Sequence, residues 1–213
     1  MRKYAAEFIG TFFLVLTIFC AVVGHHPDDG VIPALAIGFS LMVMVYAGGH
    51  ISGGHYNPAV TTAVFIRGRI DARDVPGYMI AQILGGLAAA LIATKLIKAG
   101  VAVAEPKLFP NVAAVLVAEF LYTFALAYVV VNVATAKATS GNSYYGLAIG
   151  STVLVGAFAV GAVSGGAFNP AVAISAAVFK LIPISQVWIH LVADFAGGAA
   201  AGLAFRALNP DDK

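Results

Sequence analysis

Charged residues are scarce in this chain of 213 residues, of which only 10% are charged while 61% are hydrophobic. About a quarter of the residues in an ordinary soluble domain are charged. A chain with as few charged residues as this one would not be soluble in water. A lipid bilayer is therefore the expected solvent, which argues against a soluble enzyme. The net charge of +2 is small and the basic residues are scattered, so no nucleic-acid partner is expected.

Cysteine is almost absent. The single one, Cys20, lies inside an apolar run and cannot form an intramolecular disulfide, so it is interpreted as a small core residue. The sequence shows no acid–base pair or activated nucleophile, and we expect no enzyme activity, cofactor or metal. One outer loop does combine His25, His26, Asp28 and Asp29. It is interpreted as a solvated loop, with a weak metal site left open as the alternative.

Most of the sequence consists of long apolar runs. A spanning helix needs about 20 mostly apolar residues. Six runs fit this length: 4–24, 32–49, 75–97, 112–134, 145–161 and 184–208. Two further apolar stretches, 57–66 and 169–179, give only about 15 Å of helix, or half of the hydrocarbon thickness. The first run is too long for the apolar part of a signal peptide, so it is interpreted as the first spanning helix.

The chain repeats itself at a fixed offset. Asn57-Pro58-Ala59 recurs 112 residues later as Asn169-Pro170-Ala171. Other pairs share this offset: Glu7-Phe8 with Glu119-Phe120, 35–38 with 147–150, 52–54 with 164–166, and Gly85-Gly86 with Gly197-Gly198. A register kept over most of the chain indicates a duplicated unit. We predict one transmembrane domain over 1–213, with repeat one at about 1–100 and repeat two at about 112–208.

Each repeat is predicted to fold as two spans, a re-entrant loop with a half-helix, and a third span. Asn is a strong N-cap and Pro is favoured at the first helical position, so each Asn-Pro begins a half-helix. The preceding Ser-Gly-Gly breaks the helix before it. Because three spans are an odd number, the second unit enters from the opposite side. The predicted fold is an all-α membrane protein with six transmembrane helices and two re-entrant half-helices in an inverted repeat.

The basic residues predict an orientation. With both termini in the cytoplasm, eight of the twelve Lys and Arg residues lie on that side: Arg2, Lys3, Arg67, Arg69, Arg73, Lys137, Arg206 and Lys213. The four on the outer side are Lys95, Lys98, Lys107 and Lys180. This agrees with the positive-inside rule. We therefore predict a multi-pass protein of the cell membrane with cytoplasmic N- and C-termini.

The two Asn-Pro motifs predict a pore. Re-entrant loops from opposite faces meet near the midplane, where each half-helix presents a positive end of about +0.5 e. The amides of Asn57 and Asn169 then project into one place as donors. A passing water directs its oxygen at both amides, so the waters on the two sides are oppositely oriented and cannot relay protons. The positive helix ends also repel cations. The pattern predicts a pore for neutral solutes.

The sequence around both motifs resembles the aquaporin, or major intrinsic protein, family. Residues 50–60, His-Ile-Ser-Gly-Gly-His-Tyr-Asn-Pro-Ala-Val, look like its first signature loop, 165–171 like its second, and 6–12 like its first-helix motif. The resemblance covers 4–206 and implies six tilted helices, two half-helices, a pore in every subunit and a homotetramer.

The polar residues inside the spans are interpreted as structural. The resemblance supports loop-bracing roles for Glu7 and Glu119, whose carboxylates can accept N–H groups from the re-entrant loops. His55 is interpreted in the same way, with a cytoplasmic pH gate as the alternative. Asp194 lies 112 residues after Gln82 and is interpreted as a paired buried acid rather than a pore-lining one.

The chain departs from the family at the selectivity filter. Most members have Arg directly after the second Asn-Pro-Ala, usually with an aromatic residue and often a His nearby. Here the filter positions fall at Ile37, Ala157, Gly166 and Val172, so we expect a wider and more apolar constriction. A Val at the Arg position resembles a plant vacuolar subgroup with broad small-solute permeability. Ala173 stands where the glycerol-facilitator branch usually has Asp, so that branch is not indicated.

These features together predict a passive channel for water and other small neutral solutes, namely glycerol, urea, ammonia and hydrogen peroxide. Two alternatives stay open. One is a channel that prefers ammonia or gases and has little role for water. The other is an ion-coupled secondary transporter, since transporters also use inverted repeats and broken helices. Neutral amides rather than acids at the midplane favour the channel over the transporter.

Overall fold

The computed structural model describes residues 1–24, 30–103 and 105–212. The cluster of His25, His26, Asp28 and Asp29 lies outside these residues. The described part of the chain forms eight α-helices and no strands: α1 (Arg2–Val22), α2 (Ile32–Ser52), α3 (Pro58–Arg67), α4 (Val75–Ile92), α5 (Val112–Thr135), α6 (Tyr145–Ser164), α7 (Pro170–Val178) and α8 (Val187–Leu208). A π-helical turn over Ala93–Ile97 extends α4.

The lengths of the helices divide them into two groups. Six helical segments of the described residues are long and apolar enough to cross a membrane. The other two, α3 and α7, have only 10 and 9 residues and cannot do so. The predicted fold class, six long helices and two half-helices, is confirmed.

Both helices that precede a re-entrant loop end three residues later than we predicted. The sequence suggested ends at 49 and 161, but α2 continues to Ser52 and α6 to Ser164. Glycine inside an apolar helix is tolerated, as Gly48 and Gly49 are in α2 and Gly161 is in α6. The helices end at Gly53 and Gly165, whose φ values of 92° and 88° require the left-handed conformation that glycine adopts without strain.

The helices pack in two similar sets. In the first half α1 packs against α2 and α4, and in the second half α5 packs against α6 and α8. The halves meet along α2 and α6, and each half-helix contacts the last helix of the other half, α3 with α8 and α7 with α4. A Cβ added at Gly150 would lie 2.4 Å from the carbonyl oxygen of Gly38. Small residues thus allow α2 and α6 to cross closely, as expected where lipid gives no hydrophobic force between helices.

Candidate pore and selectivity region

The two half-helices begin at capping asparagines. Asn57 Oδ1 accepts the backbone N–H of Ala59 at 2.8 Å, and Asn169 Oδ1 accepts that of Ala171 at 2.9 Å. The proline after each asparagine takes the first helical position, where no N–H is needed. Each side-chain oxygen therefore bonds to the backbone of its own half-helix, and each amide nitrogen is left to bond to other groups.

The amide nitrogens connect the two halves. Asn57 Nδ2 donates to the carbonyl oxygen of Phe168 at 2.8 Å. Asn169 Nδ2 donates to the carbonyl oxygen of Tyr56 at 2.9 Å. Each pair joins the N-terminus of one half-helix to the loop of the other. Because an amide carries two N–H groups, one N–H of each asparagine takes no part in these two bonds.

The acceptor carbonyls come from two strained residues. Tyr56 and Phe168 have φ values of 51° and 47°, which is uncommon for bulky side chains. Both rings are buried. The Tyr56 hydroxyl donates to the carbonyl of Met44 at 2.9 Å, and the Phe168 ring packs 5.5 Å from that of Tyr122, centroid to centroid. Packing on both sides thus maintains a backbone conformation that the residues would not adopt alone.

The Glu7 carboxylate lies behind the first re-entrant loop. It is fully buried. Its Oε1 accepts from the Ser52 hydroxyl at 2.6 Å and the His55 N–H at 3.0 Å. Its Oε2 accepts from the Tyr56 N–H at 2.6 Å and from Gln82 Nε2 at 2.7 Å. This is the set of contacts on which the proposed bracing role depends, and it gives the buried charge four donors.

Glu119 occupies the corresponding place in the second half. Its two oxygens accept the N–H groups of Ala167 at 3.1 Å and Phe168 at 2.7 Å. Asp194 is fully buried, accepts from the Thr123 hydroxyl at 2.9 Å, and does not line either cavity described below. Within the described ranges no group of three or more His, Cys, Asp or Glu side chains could hold a metal ion.

A narrow cavity of about 120 Å³ passes both asparagines. This volume holds a few water molecules. The four predicted filter positions, Ile37, Ala157, Gly166 and Val172, all line it. Its only polar side chains among the described residues are those of His55, Asn57 and Asn169, and none of its lining residues is an Asp, Glu, Lys or Arg. The cavity wall is therefore apolar except for a small number of uncharged polar groups.

A wider vestibule of about 1010 Å³ lies on the side where α2 and α5 end. His50, Arg69 and Lys137 are among its lining residues. His55 and Val130 line both this vestibule and the narrow cavity. The two spaces therefore meet at these two side chains, close to the first re-entrant loop.

The hydrogen bonds around His55 favour one tautomer of its ring. The Thr61 hydroxyl donates its only hydrogen to the carbonyl of Asn57 at 3.1 Å and accepts from Gln82 Nε2 at 3.0 Å. His55 Nδ1 lies 3.1 Å from the same hydroxyl, an arrangement that favours Nδ1 as the donor. A neutral ring keeps Nε2 as an acceptor. With this tautomer His55 offers an acceptor where the two cavities meet, whereas the asparagine amides offer donors.

Comparison with known protein families matches this arrangement. The family model described as "Major intrinsic protein" matches residues 1–205. The chain belongs to the major intrinsic protein family. The family and the fold are those of passive channels rather than enzymes, and with six apolar helices the chain is an integral membrane protein.

Relatives within the major intrinsic protein family carry two kinds of name. "Glycerol uptake facilitator protein-like 6" of Lactiplantibacillus plantarum is 36% identical over 218 residues, with 100% of each chain covered. "Aquaporin NIP1-3" of Oryza sativa subsp. japonica is 37% identical over 222 residues, covering 100% of this chain and 75% of that protein. The X-ray structure of the aquaglyceroporin from Plasmodium falciparum has a TM-score of 0.81 at 19% identity, covering 98% of this chain and 97% of that one. This structural likeness shows the fold alone.

Sequence reasoning missed the residues that hold the ends of α2 and α6. The Tyr78 hydroxyl donates to the carbonyl of Ser52 at 2.7 Å, and His190 Nε2 donates to that of Ser164 at 2.8 Å. Positions 78 and 190 are 112 residues apart, as are 52 and 164. The repeat offset would have paired these positions, but their different side chains concealed the match.

Proposed function

We propose that this channel conducts water and other small neutral solutes and excludes protons and ions. The observation that carries the proposal is the reciprocal pairing of Asn57 and Asn169 with the opposite loop, at a place where a narrow cavity passes the N-termini of α3 and α7. Helix N-termini and amide donors favour a solute that offers an oxygen or nitrogen acceptor. The same positive ends disfavour cations, including hydronium.

The filter positions support a broad range of solutes. Ile37, Ala157, Gly166 and Val172 place neither a charge nor a side-chain donor on the cavity wall. Without a guanidinium and a ring, the constriction discriminates less against solutes larger than water. Glycerol, urea, ammonia and hydrogen peroxide are the solutes that we propose. A relative named for glycerol uptake keeps glycerol in this set, although Ala173 differs from the Asp usual in that branch.

The apolar filter also supports a second function, a channel that prefers ammonia or gases over water. An apolar wall gives few partners to water that has lost its own hydrogen bonds, whereas a weakly hydrated solute loses less on entry. We propose in addition that the channel is a homotetramer in the cell membrane with both termini in the cytoplasm. The excess of basic residues on that side supports this orientation.

Stopped-flow measurements on proteoliposomes test these functions together. We expect osmotic shrinkage well above that of protein-free liposomes, with a low activation energy, and uptake of glycerol, urea and ammonia that is linear in the gradient. Water permeation at the lipid rate with fast ammonia uptake would favour the second function. Saturable uptake that depends on a Na⁺ or H⁺ gradient would indicate a coupled transporter instead.

A further inference from the structure

The second half contains a buried pair of acids that has no counterpart in the first. Glu119 and Asp194 are both 0% exposed. Thr123, one turn after Glu119 on α5, donates its hydroxyl to Asp194 at 2.9 Å, and His190, one turn before Asp194 on α8, lies 3.8 Å from Glu119, so the two acids are neighbours. In the first half the position that corresponds to Asp194 is Gln82, which donates from Nε2 to Glu7 at 2.7 Å. An amide can donate to a carboxylate, whereas an ionised Asp cannot.

Asp194 receives too few hydrogen bonds for an ionised carboxylate that is fully buried. Its Oδ1 accepts from the Thr123 hydroxyl at 2.9 Å. Its Oδ2 has no hydrogen-bond partner among the described residues. Two neighbouring ionised carboxylates that are buried away from water repel each other strongly. A single proton between Asp194 and Glu119 converts the repulsion into a hydrogen bond, and supplies the bond that Gln82 makes in the first half.

His190 is the other titratable group in this cluster and could hold the proton instead. Its Nε2 is 2.8 Å from the carbonyl of Ser164 but 3.8 Å from the nearer oxygen of Glu119, so this N–H is committed to the carbonyl. Its Nδ1 has no partner among the described residues. A proton on Nδ1 would create a buried donor without an acceptor. The geometry therefore favours a neutral His190, with the proton on the pair of acids.

We propose that Asp194 is a positioning residue that functions as a neutral acid, sharing one proton with Glu119 and thereby fixing the second re-entrant loop. The connection to the pore is short. Glu119 accepts the N–H groups of Ala167 and Phe168, and the Phe168 carbonyl accepts from Asn57. The proposal deepens the proposed function and rests on it, because the loop so fixed carries Asn169.

Infrared spectroscopy of the full chain in lipid tests where the proton is. A protonated carboxylic acid away from water has a C=O stretch that ionised carboxylates lack. We expect this band at neutral pH in the wild type and in Asp211→Asn, a control at an exposed acid. We expect it to be absent in Asp194→Asn, whose amide supplies the donor without a proton to share. Absence of the band in the wild type, or its persistence in Asp194→Asn, would overturn the proposal.

Flux through the same proteins tests the positioning role. Asp194→Asn restores a donor like that of Gln82, so we expect its solute flux per folded protein to stay within about twofold of the wild type. Asp194→Leu offers neither donor nor acceptor, and we expect a loss of about fivefold or more. Equal losses in both variants, or no loss in Asp194→Leu, would refute the positioning role. A wild type that conducts nothing would refute the proposed function, while the infrared band would still report on the proton.

Discussion

Single side chains determine the polarity of the narrow cavity, because so few of its lining residues are polar. His55, Asn57 and Asn169 supply all of its polar side chains among the described residues. Val172 is buried against the cavity, directly after the second Asn-Pro-Ala. One substitution at this position therefore changes both the width of the passage and the number of donors on its wall.

Val172→Arg should narrow the channel and make it more selective for water. The guanidinium is much larger than the isopropyl group and adds five N–H donors at one place. We expect glycerol and urea flux to fall by about tenfold or more, and water flux by less than about threefold. Parallel stopped-flow measurements of the three solutes check this. Val172→Ile adds volume without charge and serves as the control. Equal losses for all solutes would mean that position 172 does not belong to the filter.

At the scale of helices, the half-helices hold their places through glycines on the long helices of the other half. A Cβ added at Gly198 of α8 would lie 2.3 Å from the carbonyl oxygen of Ala59 and 2.9 Å from its carbonyl carbon. Because the obstacle is backbone, no rotamer change relieves it. The position of α3, and hence of Asn57, depends on the missing side chain of Gly198.

Gly198→Ala should therefore destabilise the protein and impair conduction together. We expect a loss of about 1–3 kcal/mol, as for overpacked cores, measured as a lower thermal midpoint in detergent. We also expect reduced water flux at matched protein amounts. Gly161→Ala is the control, because a Cβ at Gly161 of α6 meets nothing within 4 Å. In that variant Ala should be neutral, or stabilising by up to about 1 kcal/mol through helix propensity. Equal effects at both positions would contradict the packing argument.

The C-terminal tail is tied to two helix ends by one carboxylate. Asp212 Oδ1 accepts from the Arg67 guanidinium at 2.6 Å and Oδ2 from the Lys137 N–H at 2.8 Å. The guanidinium of Arg67, at the end of α3, also lies 4.3 Å from the ring centroid of Phe205. The backbone N–H of Lys137, and then the Arg67 charge, lower the pKa of Asp212 below its ordinary value.

This shift gives a prediction about acid stability. A carboxylate whose pKa is lowered by folding stabilises the fold above the unfolded pKa of about 3.9. That contribution is lost as the pH falls through the lower pKa of the folded state. Asp212→Asn should therefore lower the thermal midpoint near neutral pH, and the difference from the wild type should shrink in acid. Thermal midpoints measured from about pH 7 to about pH 3 check this. Asp211→Asn is the matched control, and a difference for Asp212→Asn that is constant with pH would contradict the assignment.

The sequence predicted the helices better than the contacts between them. Length and hydropathy predicted the six spans, and the Asn-Pro pairs predicted where α3 and α7 begin, because both signals are local. The ends of α2 and α6 were misplaced at 49 and 161, since nothing local shows which glycine adopts the left-handed conformation. Bonds such as those of Tyr78 and His190 to distant carbonyls depend on the packing of whole helices, which hydropathy does not describe.

At the scale of the whole molecule, the proposed exclusion of ions depends on both halves together. The positive ends of α3 and α7 meet where Asn57 and Asn169 bond to the opposite loops. No acidic side chain lies among the described residues that line the narrow cavity. A cation at this place meets two positive helix ends and no counter-charge. A single carboxylate introduced there should remove much of this barrier.

Asn169→Asp introduces that carboxylate with little change in shape. An Asp can still accept the N–H of Ala171 as an N-cap, but it cannot donate to the Tyr56 carbonyl, and it adds a negative charge between the helix ends. We expect the proton leak into liposomes, measured with a trapped pH-sensitive dye, to rise by about tenfold or more.

Asn111→Asp makes the same change at the exposed start of α5, where Asn111 Oδ1 accepts the Ala114 N–H at 3.0 Å. A carboxylate is favourable at that N-cap, so liposomes that contain this control should leak protons no faster than liposomes that contain the wild type. If neither variant leaks protons, proton exclusion does not depend on the charge between the half-helices. If both leak equally, the leak arises from general damage to the fold.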